Sequence, residues 1–327
     1  MELQLSNRHG IRVTLCNIGA AVHRVETPDR KGCFSNIALC PSARDENPAA
    51  FAYAGATLGP SAGRVPDSWL TLGSRRVTLT PNEGTHHLHG GPHGLSAQRW
   101  KCEGSTASRA LFRCDLPAGL DGYPGNRRFT TEYHLDEDDS LTLRLRAETD
   151  EPTWINLSNH LYWNLSGDFS AAAADHWLQI SAENVLWNDE QHIPLGCHAV
   201  EGTPFDLRNG ALLGERLILP DPQLTNARGF NNFYQLSQGQ PAVTLRHKPS
   251  GRALFLTTDL PWLVFYSGGY LDESLPLEGG LKGRQSCALA LEPQLAPVTR
   301  QAREVSQVTT TEQPYDHWIA FRWTVED

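Results

Sequence analysis

The stretch RFTTEYHLDEDDSLTLRLRAET, residues 128–149, alternates apolar and polar residues on both sides of an acidic turn. A period of two places alternate side chains on opposite faces of an extended chain, which predicts a half-buried antiparallel hairpin. One face should pack on a core and the other should meet water. The residues expected on the core face are Phe129, Thr131, Tyr133, Leu135, Leu141, Leu143, Leu145 and Ala147.

Further short strands of the same kind recur along the chain, in SWLTLGSRRVTLT, AVTLRHKPSGRALFLTT, WLVFYSGGYL and HWIAFRWTVE. The 28 glycines and 21 prolines provide frequent breaks between them. Helical periodicity is confined to two short candidates, residues 41–55 and 209–219, and no linker divides the chain. We therefore predict an all-β protein, with residues 1–327 forming a single large antiparallel β-sandwich.

Composition narrows the classes of partner. Hydrophobic residues make up 39 % of the 327 residues and there are nine tryptophans, enough for a sizeable core. The formal net charge is −9 and no run of Lys or Arg occurs, which argues against nucleic acid and anionic membranes as partners. No apolar run approaches the roughly 20 residues that a membrane span needs, and the N-terminus does not resemble a signal peptide.

The seven cysteines are scattered and form no C-x-x-C pair. This pattern is more typical of reduced thiols in the cytosol than of a disulfide framework or a structural zinc site. We expect a cytoplasmic protein.

The stretch THHLHGGPHG, residues 85–94, holds four of the 13 histidines. On an extended backbone His87 and His89 lie on the same side, so one hypothesis is a metal site that uses both imidazoles. The sequence offers no second motif with matching ligand spacing. The alternatives are a binding site for a polar ligand and a structural turn around Gly90 and Gly91.

A second polar pattern occurs in PTWINLSNHLYWNLSG, residues 152–167. Read as a strand, it places Trp154, Asn156, Ser158 and His160 on one face. Aromatic planes beside amide and imidazole groups suit a sugar, which has apolar C–H faces and a rim of hydroxyls. The alternative is a buried histidine held between aromatic side chains.

Glu292 follows an apolar run in SCALALEPQLAP, residues 286–297, which predicts a buried strand ending at this carboxylate. A buried carboxylate is costly unless it is partnered or its pKa rises so that it acts as an acid or base. The alternative is a solvated glutamate at the end of a strand.

Taken in order, these segments resemble the aldose 1-epimerase (galactose mutarotase) family. The resemblance is carried by AFAYAGATLGPSAGRV, HLHGGPHGLSAQRW, YPGNRRFTTEYHL, NLSNHLYWNLSG, TPFDLR, GFNNFYQL, FYSGGYL and LEPQLAP. It implies a large mutarotase-like β-sandwich with a sugar cleft, and catalysis that uses no metal and no cofactor. It also implies a general base at Glu292, a general acid at His160, and contacts to a small-molecule sugar substrate from His89 and Arg64. We expect a monomer or a homodimer.

Three positions depart from the pattern of that family. Gly63 and Gly269 stand where asparagine is usual, and Asn231 stands where the family has a sugar-binding aspartate. Asn231 retains an acceptor, gains two donors and loses the charge, so its contact with a sugar must differ. These changes suggest mutarotation of an aldose other than galactose.

Three alternatives remain open from the sequence. The first is a mutarotase for an anionic hexose, such as a phosphate or sulfonate, held by Arg64. The second is a sugar-binding module without catalytic activity. The third is a metal-dependent enzyme built on His87 and His89.

Overall fold

The structure is a computed structural model, and it describes residues 1–43, 47–237 and 239–326 of the chain. Within these residues the chain is built mainly from 25 β-strands. In chain order the strands are β1 (Glu2–Ser6), β2 (Arg12–Cys16), β3 (Ala21–Pro28), β4 (Phe34–Asn36), β5 (Thr57–Leu58), β6 (Arg64–Val65), β7 (Trp69–Leu72), β8 (Arg75–Thr78), β9 (His87–Leu88), β10 (Lys101–Ser105), β11 (Arg109–Leu116), β12 (Arg127–Leu135), β13 (Ser140–Thr149), β14 (Ser158–Asn159), β15 (Tyr162–Trp163), β16 (Trp177–Ile180), β17 (Ala182–Asn188), β18 (Pro194–Ala199), β19 (Ala211–Leu212), β20 (Asn231–Leu236), β21 (Val243–His247), β22 (Arg252–Thr258), β23 (Trp262–Tyr266), β24 (Leu289–Gln294) and β25 (Tyr315–Val325).

Helices are few and short. The two α-helices are α1 (Leu213–Leu217) and α2 (Pro222–Ala227), and the 3-10 turns are Pro48–Phe51, Pro66–Ser68, Leu95–Ala97, Leu120–Gly122, Ala173–Asp175 and Glu278–Gly280. The predicted helix within 209–219 is confirmed as α1. The candidate at 41–55 contains one 3-10 turn instead, and its residues 44–46 lie outside the described residues. Among the helices described, none has the length and apolarity required to cross a membrane.

The hairpin predicted within residues 128–149 is confirmed. β12 and β13 pair antiparallel, with Tyr133 opposite Leu143 and Leu135 opposite Leu141. Every residue predicted on the core face is buried. The two strands belong to a nine-stranded sheet in the order β10-β11-β12-β13-β25-β22-β21-β16-β19.

A six-stranded sheet, β15-β24-β23-β20-β17-β18, packs against the nine-stranded sheet. One buried cluster contains side chains from both, such as Tyr133 and Leu143 from the larger sheet and Leu263 and Leu291 from the smaller. A four-stranded sheet, β1-β2-β3-β4, extends this core, and the strand pairings that join the described residues into these sheets are antiparallel. The predicted all-β antiparallel sandwich is confirmed.

The single strand expected at residues 152–167 is wrong. This segment forms two short strands, β14, which pairs with β5, and β15, which pairs with β24. Residues 153–165 are all buried, so Trp154 packs in a separate apolar cluster and the side-chain carbonyl of Asn156 accepts a hydrogen bond from the Leu295 N–H at 2.8 Å. The expected polar face therefore does not exist.

The inner face of the hairpin should contribute strongly to stability. Replacing the fully buried Leu143 by alanine should lower the free energy of unfolding by about 2–5 kcal/mol, because a cavity adds to the lost transfer energy. Thr142→Ala, on the opposite face of β13, should cost less than about 1 kcal/mol. Urea unfolding followed by circular dichroism measures both, and equal losses would contradict the assignment of the two faces.

Candidate active site

A cavity of about 410 Å³ opens on the side of the six-stranded sheet that faces away from the main core. All five residues that were predicted for the site line it, namely Glu292, His160, His89, Arg64 and Asn231. The structure thus brings together side chains that are far apart in the sequence.

Strand alternation places Glu292 in the cavity. Leu289 and Leu291 of β24 point into the main core, so Glu292 and Ala290 point to the other side of the sheet. Glu292 pairs with Val264 of β23, and β24 continues to Gln294 rather than ending at the carboxylate as expected. Glu292 is nonetheless buried, with 3 % of the residue exposed.

His160 is fixed by its own backbone and by a stack of aromatic rings. The backbone N–H of His160 donates to the Ala56 carbonyl at 2.9 Å, and the backbone carbonyl of His160 accepts from the Gly55 N–H at 2.8 Å. The imidazole lies parallel to the Tyr162 ring, with centroids 4.7 Å apart, and Tyr53 stacks at 6.2 Å. The imidazole is therefore held in one place by contacts that leave its edge in the cavity.

His160 and Glu292 face each other as a close acid–base pair. The distance between His160 Nε2 and Glu292 Oε1 is 3.5 Å. Burial raises the pKa of Glu292 to about 8, and the positive charge of Arg64 opposes that rise. Burial lowers the pKa of His160 to about 3. Both shifts have the same physical cause, because removal from water penalises whichever form carries charge.

These two pKa values determine how many protons the pair holds. Because burial disfavours the charged form of both groups, the pair carries one proton near neutral pH, and the direction of the two shifts favours Glu292 as its position. The raised pKa of Glu292 agrees with the sequence-based expectation for a buried carboxylate. One proton shared by two groups supplies one acid and one base at the same time.

His89 lies at the tightest point of the loop that follows β9. Its φ is +49°, and a Cβ on the next residue, Gly90, would lie 1.8 Å from the carbonyl oxygen of Gly59. The Gly63 N–H donates to His89 Nδ1 at 3.2 Å. Nδ1 is therefore unprotonated, and the neutral imidazole carries its proton on Nε2. Burial, with the nearby positive charges, keeps the pKa of His89 well below its usual value.

The other three histidines of residues 85–94 lie outside the cavity lining and form hydrogen bonds with other parts of the chain. His87 is fully buried, contacts a backbone carbonyl through Nδ1 at 2.6 Å and contacts the Tyr123 hydroxyl through Nε2 at 2.8 Å. Because both ring nitrogens are occupied, a metal site shared by His87 and His89 is wrong. His86 accepts from a backbone N–H through Nδ1 at 3.0 Å, and His93 contacts Asp121 at 3.1 Å.

Arg64 reaches the cavity already engaged in an ion pair. Its Nε and Nη2 donate to the two carboxylate oxygens of Glu83 at 2.6 and 2.8 Å. This bidentate contact fixes the guanidinium plane and balances its charge locally. Asn231, at the start of β20, lines the cavity with a side-chain amide that has no hydrogen-bond partner among the described residues.

Sequence reasoning missed several residues of the lining. Glu83 and His192 come from polar turns, PNEG and NDEQH, in which a functional residue gives no signal distinct from ordinary loop composition. His192 Nε2 lies 3.0 Å from the Tyr270 hydroxyl, and its Nδ1 is buried without a partner in the part of the chain that is described. The remaining lining residues are Tyr53, Gly63, Leu88, Phe233, Val264, Tyr266 and Tyr270.

The sequence model of the aldose 1-epimerase family matches residues 1–322. The aldose 1-epimerase of Escherichia coli strain K12 is 33 % identical over 301 residues, which cover 90 % of this chain and 86 % of that protein. The galactose mutarotase of Mus musculus is 31 % identical over 320 residues, covering 96 % of this chain and 92 % of the mouse protein.

Solved structures agree with these sequence matches. A homologue of GalM and aldose epimerase from C. elegans superposes with a TM-score of 0.87 at 26 % identity, covering 100 % of this chain and 99 % of that chain. Galactose 1-epimerase from Lactobacillus acidophilus gives a TM-score of 0.86 at 27 % identity, covering 100 % and 95 %. The relatives that are named for an activity are epimerases or mutarotases, enzymes of the isomerase class. The chain belongs to the aldose 1-epimerase family.

The raised pKa of Glu292 should make folding stability fall with pH. The folded state retains a proton up to about pH 8 that an ordinary glutamate releases near 4.5, so stability is lost as pH rises through this window. The lowered pKa of His160 has the opposite effect, but only below its ordinary value of 6.5. Between pH 6.5 and pH 8 the ionisation of Glu292 should therefore lower the free energy of unfolding by about 2 kcal/mol.

Glu292→Gln should remove this contribution, because glutamine does not titrate. Urea unfolding of both proteins at pH 6.5 and pH 8 measures the difference. The wild type should lose about 2 kcal/mol more than the variant over this interval. Equal losses in the two proteins would show that Glu292 ionises normally.

Proposed function

We propose that this protein interconverts the α and β anomers of an aldose, with Glu292 as the general base and His160 as the general acid. The observation that carries the proposal is the 3.5 Å contact between a buried carboxyl group and a buried imidazole on the wall of a cavity. Membership of the aldose 1-epimerase family supports the same reaction.

The proposed reaction opens and closes a pyranose ring. Glu292 removes the proton of the C1 hydroxyl while His160 gives a proton to the ring oxygen, and the bond between C1 and the ring oxygen breaks. The resulting aldehyde rotates about the C1–C2 bond. Ring closure on the other face of the aldehyde returns both protons, so neither side chain is changed at the end of the cycle.

Catalysis in this direction requires the proton of the pair to lie on His160 and the charge on Glu292. The short distance between Nε2 and Oε1 provides a direct route for that transfer. Arg64 favours the same distribution, because its positive charge stabilises the carboxylate form of Glu292. A sugar hydroxyl donating to Glu292 would add to this stabilisation.

The lining also offers groups that suit the hydroxyls of a sugar. His89 has its proton on Nε2 and acts as a donor, while His192 Nδ1 is a buried acceptor. The Asn231 amide supplies both donors and an acceptor. Gly63, where a Cβ would meet the Phe233 ring at 3.3 Å, leaves space beside these groups.

Charge balance in the cavity favours a neutral aldose over an anionic one. The guanidinium of Arg64 is held by Glu83, so it is not a free cation for a phosphate or sulfonate. With one shared proton, Glu292 and His160 add no net charge to the same wall. An anionic hexose would therefore be desolvated without gaining an unpaired cation as its partner.

Loss of either member of the pair should abolish most of the activity. Glu292→Gln and His160→Gln should each lower the rate of anomer exchange by about 10²–10⁴-fold, the usual contribution of one general acid or base. Saturation-transfer NMR measures the exchange across a panel of hexoses, pentoses and 6-deoxyhexoses. His93→Gln, at a mostly exposed histidine outside the cavity, is the matched control and should retain the wild-type rate.

Unchanged exchange in Glu292→Gln would show that another group is the base. The second candidate function is sugar binding without catalysis, which the replacement of aspartate by Asn231 favours. Calorimetry distinguishes it, because binding of a sugar whose anomers the wild type does not exchange would replace the catalytic proposal.

The Arg64–Glu83 pair should set the preference for neutral substrates. For a hexose that is accepted, the 6-phosphate should show a kcat/KM at least about tenfold lower in the wild type, since burial of an anion without an unpaired cation is costly. Glu83→Gln should narrow this gap, because it removes one negative charge with little change of shape. A wild type that prefers the phosphate would contradict the proposal and would favour an anionic hexose.

A further inference from the structure

We propose that His23, Cys40 and Glu278 form a binding site for one zinc ion, separate from the sugar cavity. Their ligand atoms all lie within 4.8 Å of one another, and none of the three residues lines the cavity. His23 and Cys40 are buried, at 7 % and 5 % exposed, whereas Glu278 is partly exposed and provides a route from solvent.

The two distances from His23 to the other ligand atoms are close to the edges of a tetrahedral zinc site. His23 Nε2 lies 3.3 Å from Cys40 Sγ and 3.3 Å from Glu278 Oε1. With usual zinc bond lengths, a tetrahedral ion separates nitrogen from sulfur by about 3.6 Å and nitrogen from oxygen by about 3.4 Å. His23 therefore needs to move by only a few tenths of an ångström relative to each of the other two ligands. The Cys40 sulfur and the Glu278 carboxylate lie within 4.8 Å of each other, and binding would bring them to about 3.6 Å.

The backbone holds the ligands in place without the metal. His23 lies on β3, in the interior of the four-stranded sheet. The Glu278 N–H donates to the Cys40 carbonyl at 3.0 Å, and the next residue on the Cys40 side, Pro41, forms a bridge with Leu277. Segments that are distant in the sequence are thus already paired beside the proposed site.

Two further charged residues lie beside the cluster in the part of the chain that is described. The Glu2 carboxylate lies 3.7 Å from His23 Nε2, where it can complete the coordination or hold a water ligand. Arg24 forms an ion pair with Glu278 through the second carboxylate oxygen, Oε2, which orients the first oxygen toward His23. Among the described residues, and with the thiol deprotonated, the three negative groups (Cys40, Glu2 and Glu278) and one positive group (Arg24) leave a net charge that a divalent cation neutralises.

The ligand set favours zinc over other common metals. A thiolate and an imidazole are ligands that zinc accepts readily, whereas magnesium and calcium require oxygen ligands. Binding releases the thiol proton of Cys40, because the thiolate is the form that coordinates. This site departs from the sequence-based expectation of no metal, since its three ligands share no spacing motif.

The same contacts permit a metal-free arrangement, in which a protonated His23 lies between the carboxylates of Glu2 and Glu278. The two arrangements differ in whether the Cys40 sulfur is bonded to a metal ion. Only a metal-bound thiolate gives rise to a charge-transfer band, whatever the protonation state of Cys40 in the ion-pair arrangement.

Cobalt titration of the full-length protein tests the proposal. After chelator treatment and dialysis, the wild type should bind one Co²⁺ per chain, with a thiolate-to-cobalt charge-transfer band that zinc then abolishes. Cys40→Ala and His23→Gln should lose the band. Cys33→Ala, which removes an exposed cysteine of the same region, is the matched control and should keep it.

Glu278→Gln provides a variant outside the core, because this side chain is 35 % exposed and its loss cannot prevent folding in the way that a buried substitution can. It should weaken cobalt binding at least about tenfold. A wild type without the charge-transfer band, or a band that persists in Cys40→Ala, would overturn the proposal. None of these measurements depends on anomerisation, so failure here leaves the proposed sugar chemistry unaffected.

Discussion

The rest of the site depends on strand β24, which packs apolar side chains into the core on one face and holds a buried carboxyl group on the other. Leu289 and Leu291 must pack into the core shared by the two large sheets, which leaves Glu292 on the other face with no freedom to withdraw toward water. The carboxyl group is consequently desolvated, and its pKa rises to about 8. A strand that was merely exposed would give an ordinary glutamate with no proton to share.

The ionisable groups that line the cavity form two close pairs. The carboxyl group of Glu292 and the imidazole of His160 each resist ionisation alone, but they lie close enough to exchange a single proton. Arg64 and Glu83 form a second pair at the same cavity, with a bidentate geometry. Burial of an unpaired charge is costly, so this arrangement limits the cost of placing four ionisable groups around one small cavity.

Neighbours in the sequence perform different tasks in the loop around residues 85–94. His89 lines the cavity because a left-handed backbone and the close approach of Gly90 to Gly59 turn it inward. His87, two positions earlier, uses both ring nitrogens to hold the loop to its surroundings. The course of the backbone thus divides a cluster of histidines that suggested a common site, so that His89 lines the cavity and His87 supports the loop.

The sequence by itself determined the sandwich, because strand alternation in segments such as residues 128–149 depends on local periodicity and on burial of one face. It also identified Glu292, His160, His89, Arg64 and Asn231, through motifs whose order along the chain resembles one family. Only the tertiary structure could assemble these residues in one cavity, add Glu83 and His192 from unremarkable turns, and exclude His87. The physical reason is that desolvation, ion pairing and ligand distances depend on contacts between segments far apart in the chain, which no local pattern encodes.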